Sequence, residues 1–394
     1  MPNCVVCDVH GAATAGTRAI GPTKEGRYTQ PLALAHTPMP SSLCLNMILK
    51  NEAHVIRRCL ESVRPFISHW VIVDTGSTDA TQDVVRAHFA GLPGALHERP
   101  WRDFGSNRTE ALALARGCAE YILVMDADHV LHAPAGFRFE RLVEDGYYVR
   151  HRYAGIEYGL PILLADRIPW RYEGVLHEYV TADVAHRLVA LDGPWVEVHH
   201  EGARSRDPQT YLKDAQVLRA ALAREPDNAR YAFYLGQTLK DAGLLEEAFD
   251  AFMHRAAMQG FDEETWHARY QAAQIAERLG RDAAVVADAY LQAYNARPTR
   301  AEPLVQLARF HRERRQWPIA YLYARAAAAI PRPADHLFVE DAAYAWRADD
   351  ELAIAAWYVG AVDEGRRATE RLLACPHVPA SERARIERNA GWYR

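Results

Sequence analysis

Apolar positions in the first half of the chain come in short runs, each followed by a stretch with apolar residues at helical spacing. SLCLNMILK (42–50) reads as a strand, and in NEAHVIRRCLESV (51–63) Val55, Ile56, Cys59, Leu60 and Val63 share one helix face. WVIVD (70–74) is a second strand and TGSTD a turn. A helix follows from about Ala80 to Phe89, with Thr78 or Asp79 placed to cap it. A third strand near ALHERP (95–100) leads into the helix SNRTEALALARGC (106–118). YILVMDADHVL (121–131) is then an apolar run that ends on two carboxylates, Asp126 and Asp128. Strand and helix alternate with short connections, which predicts a parallel, doubly wound sheet.

The pattern changes twice after that. Residues 130–200 carry many aromatics, His and Arg, with strand-like pieces at GYYVRHRYAGI (146–156) and PWVEVHH (194–200). From Asp207 onward the chain is helical in period and rich in Ala, Leu, Arg and Glu. Residues 226–258 span about one tetratricopeptide unit of ~34 residues. Tyr231, Tyr234, Leu235 and Gly236 fall on its first helix, Gly243 at its turn, and Ala248 and Phe252 on its second. Residues 264–298 and 302–333 repeat the scheme. The fold class expected is therefore α/β plus all-α. Residues 1–41, rich in Gly, Ala, Thr and Pro, read as a flexible leader, 42–206 as the α/β domain, and 207–394 as a helical solenoid.

Size and charge narrow the function. A chain of 394 residues has room for two cores. The net charge of -5 and the dispersed Lys and Arg give no footprint for nucleic acid. No apolar run approaches the ~20 residues that span a bilayer, and no charged head precedes an apolar core at the N-terminus, so a cytoplasmic enzyme is expected. Cys4-x-x-Cys7 followed by His10 lacks a second pair at zinc-finger spacing, which leaves the six cysteines as reduced, structural thiols.

The candidate chemistry sits at strand ends, where open α/β sheets bind ligands. Asp74 closes the second strand above a helix N-terminus, and Gly76, Ser77 and Thr78 beside it offer amides and hydroxyls. Asn51 and Glu52 follow the first strand at the same edge, either as base contacts or as the first turn of a helix. Arg108 can reach a diphosphate, with a surface salt bridge to Glu110 or Asp103 as the alternative. Asp126 and Asp128 repel each other unless a hard divalent cation lies between them; otherwise they form an acidic turn.

A strand followed by KNE, a strand ending in DTGSTDAT, an FGSNRTEAL helix and a strand ending in DAD together resemble the family 2 glycosyltransferases, over roughly residues 43–202. The helical remainder resembles the tetratricopeptide-type tail of one subgroup of them. The resemblance implies a GT-A fold (Rossmann-like, with a mostly parallel sheet), a nucleotide-diphosphate sugar donor, a UDP-sugar foremost, and Mn²⁺ or Mg²⁺. Asn51, Glu52, Asp74, Arg108, Asp126 and Ala127 would bind the nucleotide sugar, Asp126 at the ribose or through the metal's water shell, and Asp128 would bind the metal directly. WRYEGVLHEYV (170–180), with His177 and Glu178, and the H-x-G element at His200, Glu201 and Gly202 fit the same subgroup. His200 is the expected third metal ligand, with His199 behind it, since imidazole suits Mn²⁺ better than Mg²⁺. Inverting transfer also needs a base, for which Glu178 is the first choice and Asp166 the second. The solenoid would hold a peptide, protein or saccharide acceptor, or serve as a platform for a homodimer. Two rivals stand beside this reading. One is a non-catalytic nucleotide-sugar-binding scaffold; the other is a nucleotidyltransferase, whose glycine-rich basic loop has no counterpart in LNMILKNEAH.

Overall fold

A computed structural model describes residues 40–154, 156–335 and 337–394. Most of the leader expected over 1–41, including Cys4, Cys7 and His10, lies outside the described residues. The chain divides into two compact units, one ending at Thr210 and the other spanning Tyr211–Arg394.

In the first unit, β1 (Leu43–Leu49), β2 (His69–Asp74), β3 (Gly94–Glu98) and β4 (Tyr121–Val124) are joined through α1 (Ile56–Val63), α2 (Thr81–His88) and α3 (Phe104–Ala115). Further along come β5 (Val130–His132), β6 (Gly146–Tyr153), β7 (Ile156–Ala165) and β10 (Leu188–Glu197), with β8 (Arg171–Glu173) and β9 (Tyr179–Thr181) forming a small separate hairpin. The main sheet runs β3-β2-β1-β4-β7-β6-β10-β5. Its first four strands are parallel, and β7 then joins β4 antiparallel. Register pairs Leu49 with Asp74 and Asn46 with Val124, so β1, β2 and β4 end along one edge.

Strand β1 is buried along its whole length, as expected where helices cover both faces of a parallel sheet. Its one polar residue, Asn46, donates to the Val71 carbonyl of β2 and the Ala111 carbonyl of α3, so burial leaves the amide satisfied. Helix α1 starts at Ile56 rather than near residue 51. Asn51 takes a left-handed backbone (φ 59°), and residues 51–55 form a loop that the β2–α2 turn holds from outside.

The second unit stacks α4 (Thr210–Arg224), α5 (Ala229–Asp241), α6 (Leu245–Ala257), α7 (Asp262–Arg278), α8 (Ala283–Ala296), α9 (Glu302–Glu313) and α10 (Trp317–Ala328). A π-helical turn (Ala343–Arg347), α11 (Ala348–Val359), α12 (Val362–Ala374) and α13 (Ala380–Ala390) complete it. From α5 to α12 the helices pack in sequence order, the arrangement of a helical solenoid. Gly236 is required on α5 because a Cβ there would lie 2.8 Å from the Phe252 ring of α6, and Gly243 makes the turn between them at φ 78°.

Candidate active site

The edge formed by β1, β2 and β4 carries the carboxylates. Asp74 is 1% exposed; its Oδ1 accepts the Gly76 and Ser77 amides at 2.8 and 2.7 Å, and its Oδ2 is buried without a hydrogen-bond partner. Asn51 Oδ1 accepts the Thr78 amide at 2.7 Å, and the Asn51 amide donates to Ser77 Oγ at 2.8 Å. Both residues therefore shape the 75–78 turn. Asp79 accepts the Thr81 amide at 3.0 Å at the start of α2.

The FGSNRTEAL segment is assigned residue by residue in the structure. Asp103 caps α3 by accepting the Ser106 amide. Gly105 lies so close to the Gly174 carbonyl that a Cβ would overlap it, and the Gly105 amide donates to that carbonyl at 3.1 Å. Asn107, fully buried, accepts the Arg102 amide and donates to the Pro100 carbonyl, which fixes the chain entering the helix. Thr109 Oγ1 accepts the Tyr172 amide at 2.9 Å. These contacts bring the 172–178 segment against α3 and set Arg108 between two acids. Its Nη2 donates to Asp126 Oδ1 at 2.6 Å and its Nε to Glu178 Oε1 at 2.7 Å. The surface pairing with Glu110 or Asp103 is not formed, because Glu110 takes Arg99 and Arg102 instead.

Asp128 faces another partner. Its Oδ2 accepts the amides of Glu201 and Gly202 at 3.2 and 3.1 Å, and the next amide, Ala203, donates to Glu52 at 3.1 Å. The H-x-G element thus serves through consecutive backbone N–H groups that clamp two acids. Asp128 Oδ1 and Asp126 Oδ2 both face His129 Nε2, at 3.8 and 4.0 Å. Behind His129 stands His151, whose ring is 5.8 Å away and whose pKa burial pushes down to about 4, so it is neutral at pH 7. Burial opposes ionisation of Asp126, yet the Arg108 guanidinium holds its carboxyl well below the usual range. For Glu178, burial outweighs the same guanidinium and raises the pKa.

One expectation is corrected. Asp166 cannot serve with Asp126, because β7 runs antiparallel to β4 with Ala165 opposite Tyr121. Asp166 therefore lies past the start of β4, accepting the Gly117 amide, while Asp126 lies past its end. His200 is exposed and its ring packs 4.2 Å from Tyr153. It stands near enough to Asp128 and His129 for their charges to act on it, and among the described residues no three His, Cys, Asp or Glu side chains form a ready metal cluster. The imidazole that faces both carboxylates is His129, which sequence reasoning passed over although it directly follows DAD. Ala127 is buried between its neighbours. The donor set still suits a hard divalent ion. Each aspartate keeps one oxygen free of the main chain and of Arg108, and such ions take oxygen ligands from few carboxylates and the substrate's phosphates.

The family model described as glycosyl transferase family 2 matches residues 44–147. A TPR repeat-containing protein of Synechococcus elongatus is 30% identical over 316 residues, which cover 73% of this chain and 75% of that protein. Glycosyltransferase SunS of Bacillus phage SPbeta is 23% identical over 228 residues, 54% of this chain and 52% of SunS. A solved tetratricopeptide repeat protein from Parabacteroides merdae aligns over 46% of this chain and 68% of its own at 18% identity and a TM-score of 0.34. With the strand-end carboxylates, the α3 segment and the stacked helices in place, the chain belongs to the family 2 glycosyltransferases, in a form that carries a tetratricopeptide-like helical solenoid at its C-terminal side.

Proposed function

We propose that the chain moves a sugar, with inversion, from a nucleotide-diphosphate sugar, a UDP-sugar first among donors, to a peptide, protein or saccharide acceptor. The observation that carries this reading is the division of labour at the end of β4. Arg108 holds one oxygen of Asp126, two amides hold one oxygen of Asp128, and the remaining oxygens face the same side, toward His129.

In this reading the 75–78 turn, set by Asp74 and Asn51, meets the nucleoside, and the orphaned Asp74 Oδ2 gains a donor from it. Asp126 and Asp128 hold Mn²⁺ or Mg²⁺. When bound, the ion supplies positive charge to the departing diphosphate. Arg108 lies within reach of the same phosphates while it fixes Glu178. Glu178 takes the acceptor proton. Its raised pKa brings it nearer to neutrality, where a base works best, and its partner Arg108 orients the carboxylate. The solenoid contributes acceptor binding or self-association, and no step of the chemistry.

Asp128→Asn tests the assignment, because Asn retains an acceptor for the Glu201 and Gly202 amides and loses the charge. Release of nucleoside diphosphate, measured with Mn²⁺ and Mg²⁺ over a panel of nucleotide sugars, should fall about 10²–10³-fold with the melting temperature unchanged. Near-parental turnover by the folded variant overturns the metal assignment.

A further inference from the structure

The helical unit contains a row of side chains that the reaction does not use. Phe233 on α5, His267 on α7 and Glu302 on α9 stand one repeat of ~34 residues apart, so they occupy matching places on the first helix of successive pairs. All three meet the connection between α10 and the π-helical turn. Phe338 stacks on His267, with centroids 3.9 Å apart and planes 15° apart, and lies 5.5 Å from Phe233. The Glu340 amide donates to Glu302 Oε1 at 3.2 Å.

The main chain of this stretch is held by side chains. Arg300 donates to the Leu337 and Phe338 carbonyls at 3.2 and 2.6 Å, and the Leu337 amide donates to Glu263 Oε2 at 2.7 Å. Asp335 is gripped by Arg297 at 2.6 and 2.7 Å and by Arg300 at 3.0 Å. Arg300 itself is fully buried over the Trp266 ring. Side-chain donors and acceptors on backbone amides and carbonyls, with pockets for particular side chains, are how a protein holds a foreign peptide. Two local features point the same way. Phe338 has a left-handed backbone (φ 57°), a conformation that a bulky residue keeps only where its surroundings enforce it. His267 Nδ1 beneath it is buried with no hydrogen-bond partner.

We propose that this row is a peptide-binding site whose resident occupants are the chain's own Asp335 and Leu337–Glu340. Once that stretch is displaced, the row takes in trans an acidic peptide with a carboxylate three residues ahead of an aromatic ring. The carboxylate goes to Arg297 and Arg300, the ring to the Phe233–His267 slot, and the main chain at the ring and at the residue before it to Arg300 and Glu263. This assignment does not rest on the transfer chemistry and stands whether or not the chain moves a sugar.

Two measurements on the full chain test it. In hydrogen exchange on the unmodified protein, the Leu337 and Glu340 amides should exchange through local opening, at least about tenfold faster than the slowest amides of α7 and α9. Equal protection overturns the proposal, since the stretch would then be a fixed part of the core. In the second, a fluorescent peptide with the sequence of residues 331–341 is titrated into the chain and into Phe338→Ser. The variant, freed of its own ring, should bind roughly tenfold or more tightly than the parent, because its competent fraction rises. Replacing the peptide's own Asp335 or Phe338 by Ala should abolish that gain. A folded variant that binds no better, or a gain that survives both replacements, overturns it. If Phe338→Ser does not fold, the exchange measurement decides alone.

Discussion

Glu52 is a carboxylate packed among carboxylates, and its neighbours set its proton affinity. Both its oxygens accept the Ala203 amide, at 3.1 and 3.3 Å. A Cβ added at Gly202 would touch both Glu52 and Asp128 at 3.3 Å, so a single glycine separates the two acids. Burial raises the Glu52 pKa to about 7; the Ala203 amide counters this and Asp128 adds to it. Its folded pKa lies above the ~4.3 of an unfolded Glu. The stability it contributes is therefore fully present below that value and is lost as pH rises through about 7. Glu52→Gln keeps an acceptor for Ala203 and removes the titration. In metal-free buffer its melting temperature should exceed the parent's at pH 8, and the advantage should vanish near pH 4.5, at the ordinary Glu value. A difference that stays constant across that range would show that Glu52 remains charged in the fold.

Between residue and fold stands the contact of α3 with the 172–178 segment. Gly105 meets Gly174 backbone to backbone, and Arg108, one turn on, meets Glu178. Gly105→Ala forces the two apart, which should cost about 1–3 kcal/mol by overpacking and loosen the Arg108–Glu178 pair. Transfer should then fall further than stability alone explains. Gly159→Ala, where a Cβ would find only an ordinary contact with Tyr148 at 3.5 Å, is the matched control and should leave both unchanged. Equal loss in the two variants would remove the contact from the argument. The same contact shows why part of the site was legible in the sequence and part was not. Apolar runs announced β1, β2 and β4, and their polar ends announced Asp74, Asp126 and Asp128, because burial and strand ends leave local traces. Arg108 was visible as a residue, but its partner stands 70 positions away and is joined to it by a glycine–glycine approach that no periodicity reveals. Asp166, the second choice for the base, follows DAD in the sequence, but the antiparallel course of β7 carries it back to the start of β4, away from Asp126. His129 was missed because its bearing on both aspartates depends on how the chain turns after β4.

At the scale of the whole molecule, the two units have separate cores. Leu43, Leu45, Met47, Ile72, Leu123 and Leu163 build the first; Trp266, Tyr270, Leu307 and Phe310, with Leu352, Leu372 and Ile386 beyond them, build the second. Units of this size each bury enough surface to fold cooperatively, so heating should give two transitions rather than one. The strand-end site lies wholly in the first unit, and a ligand stabilises only what it binds in the folded state. At a hundred times its dissociation constant a ligand adds about 2.7 kcal/mol, and a domain of 150–250 residues gains roughly 2–4 °C per kcal/mol. The true nucleotide sugar with Mn²⁺ should therefore raise one transition by about 5–10 °C and leave the other in place. Residues 211–394 expressed alone should reproduce the unmoved transition. Joint movement of both would mean that the donor site and the solenoid unfold as one, which would make the helical half part of the sugar-nucleotide machinery rather than a holder of its acceptor.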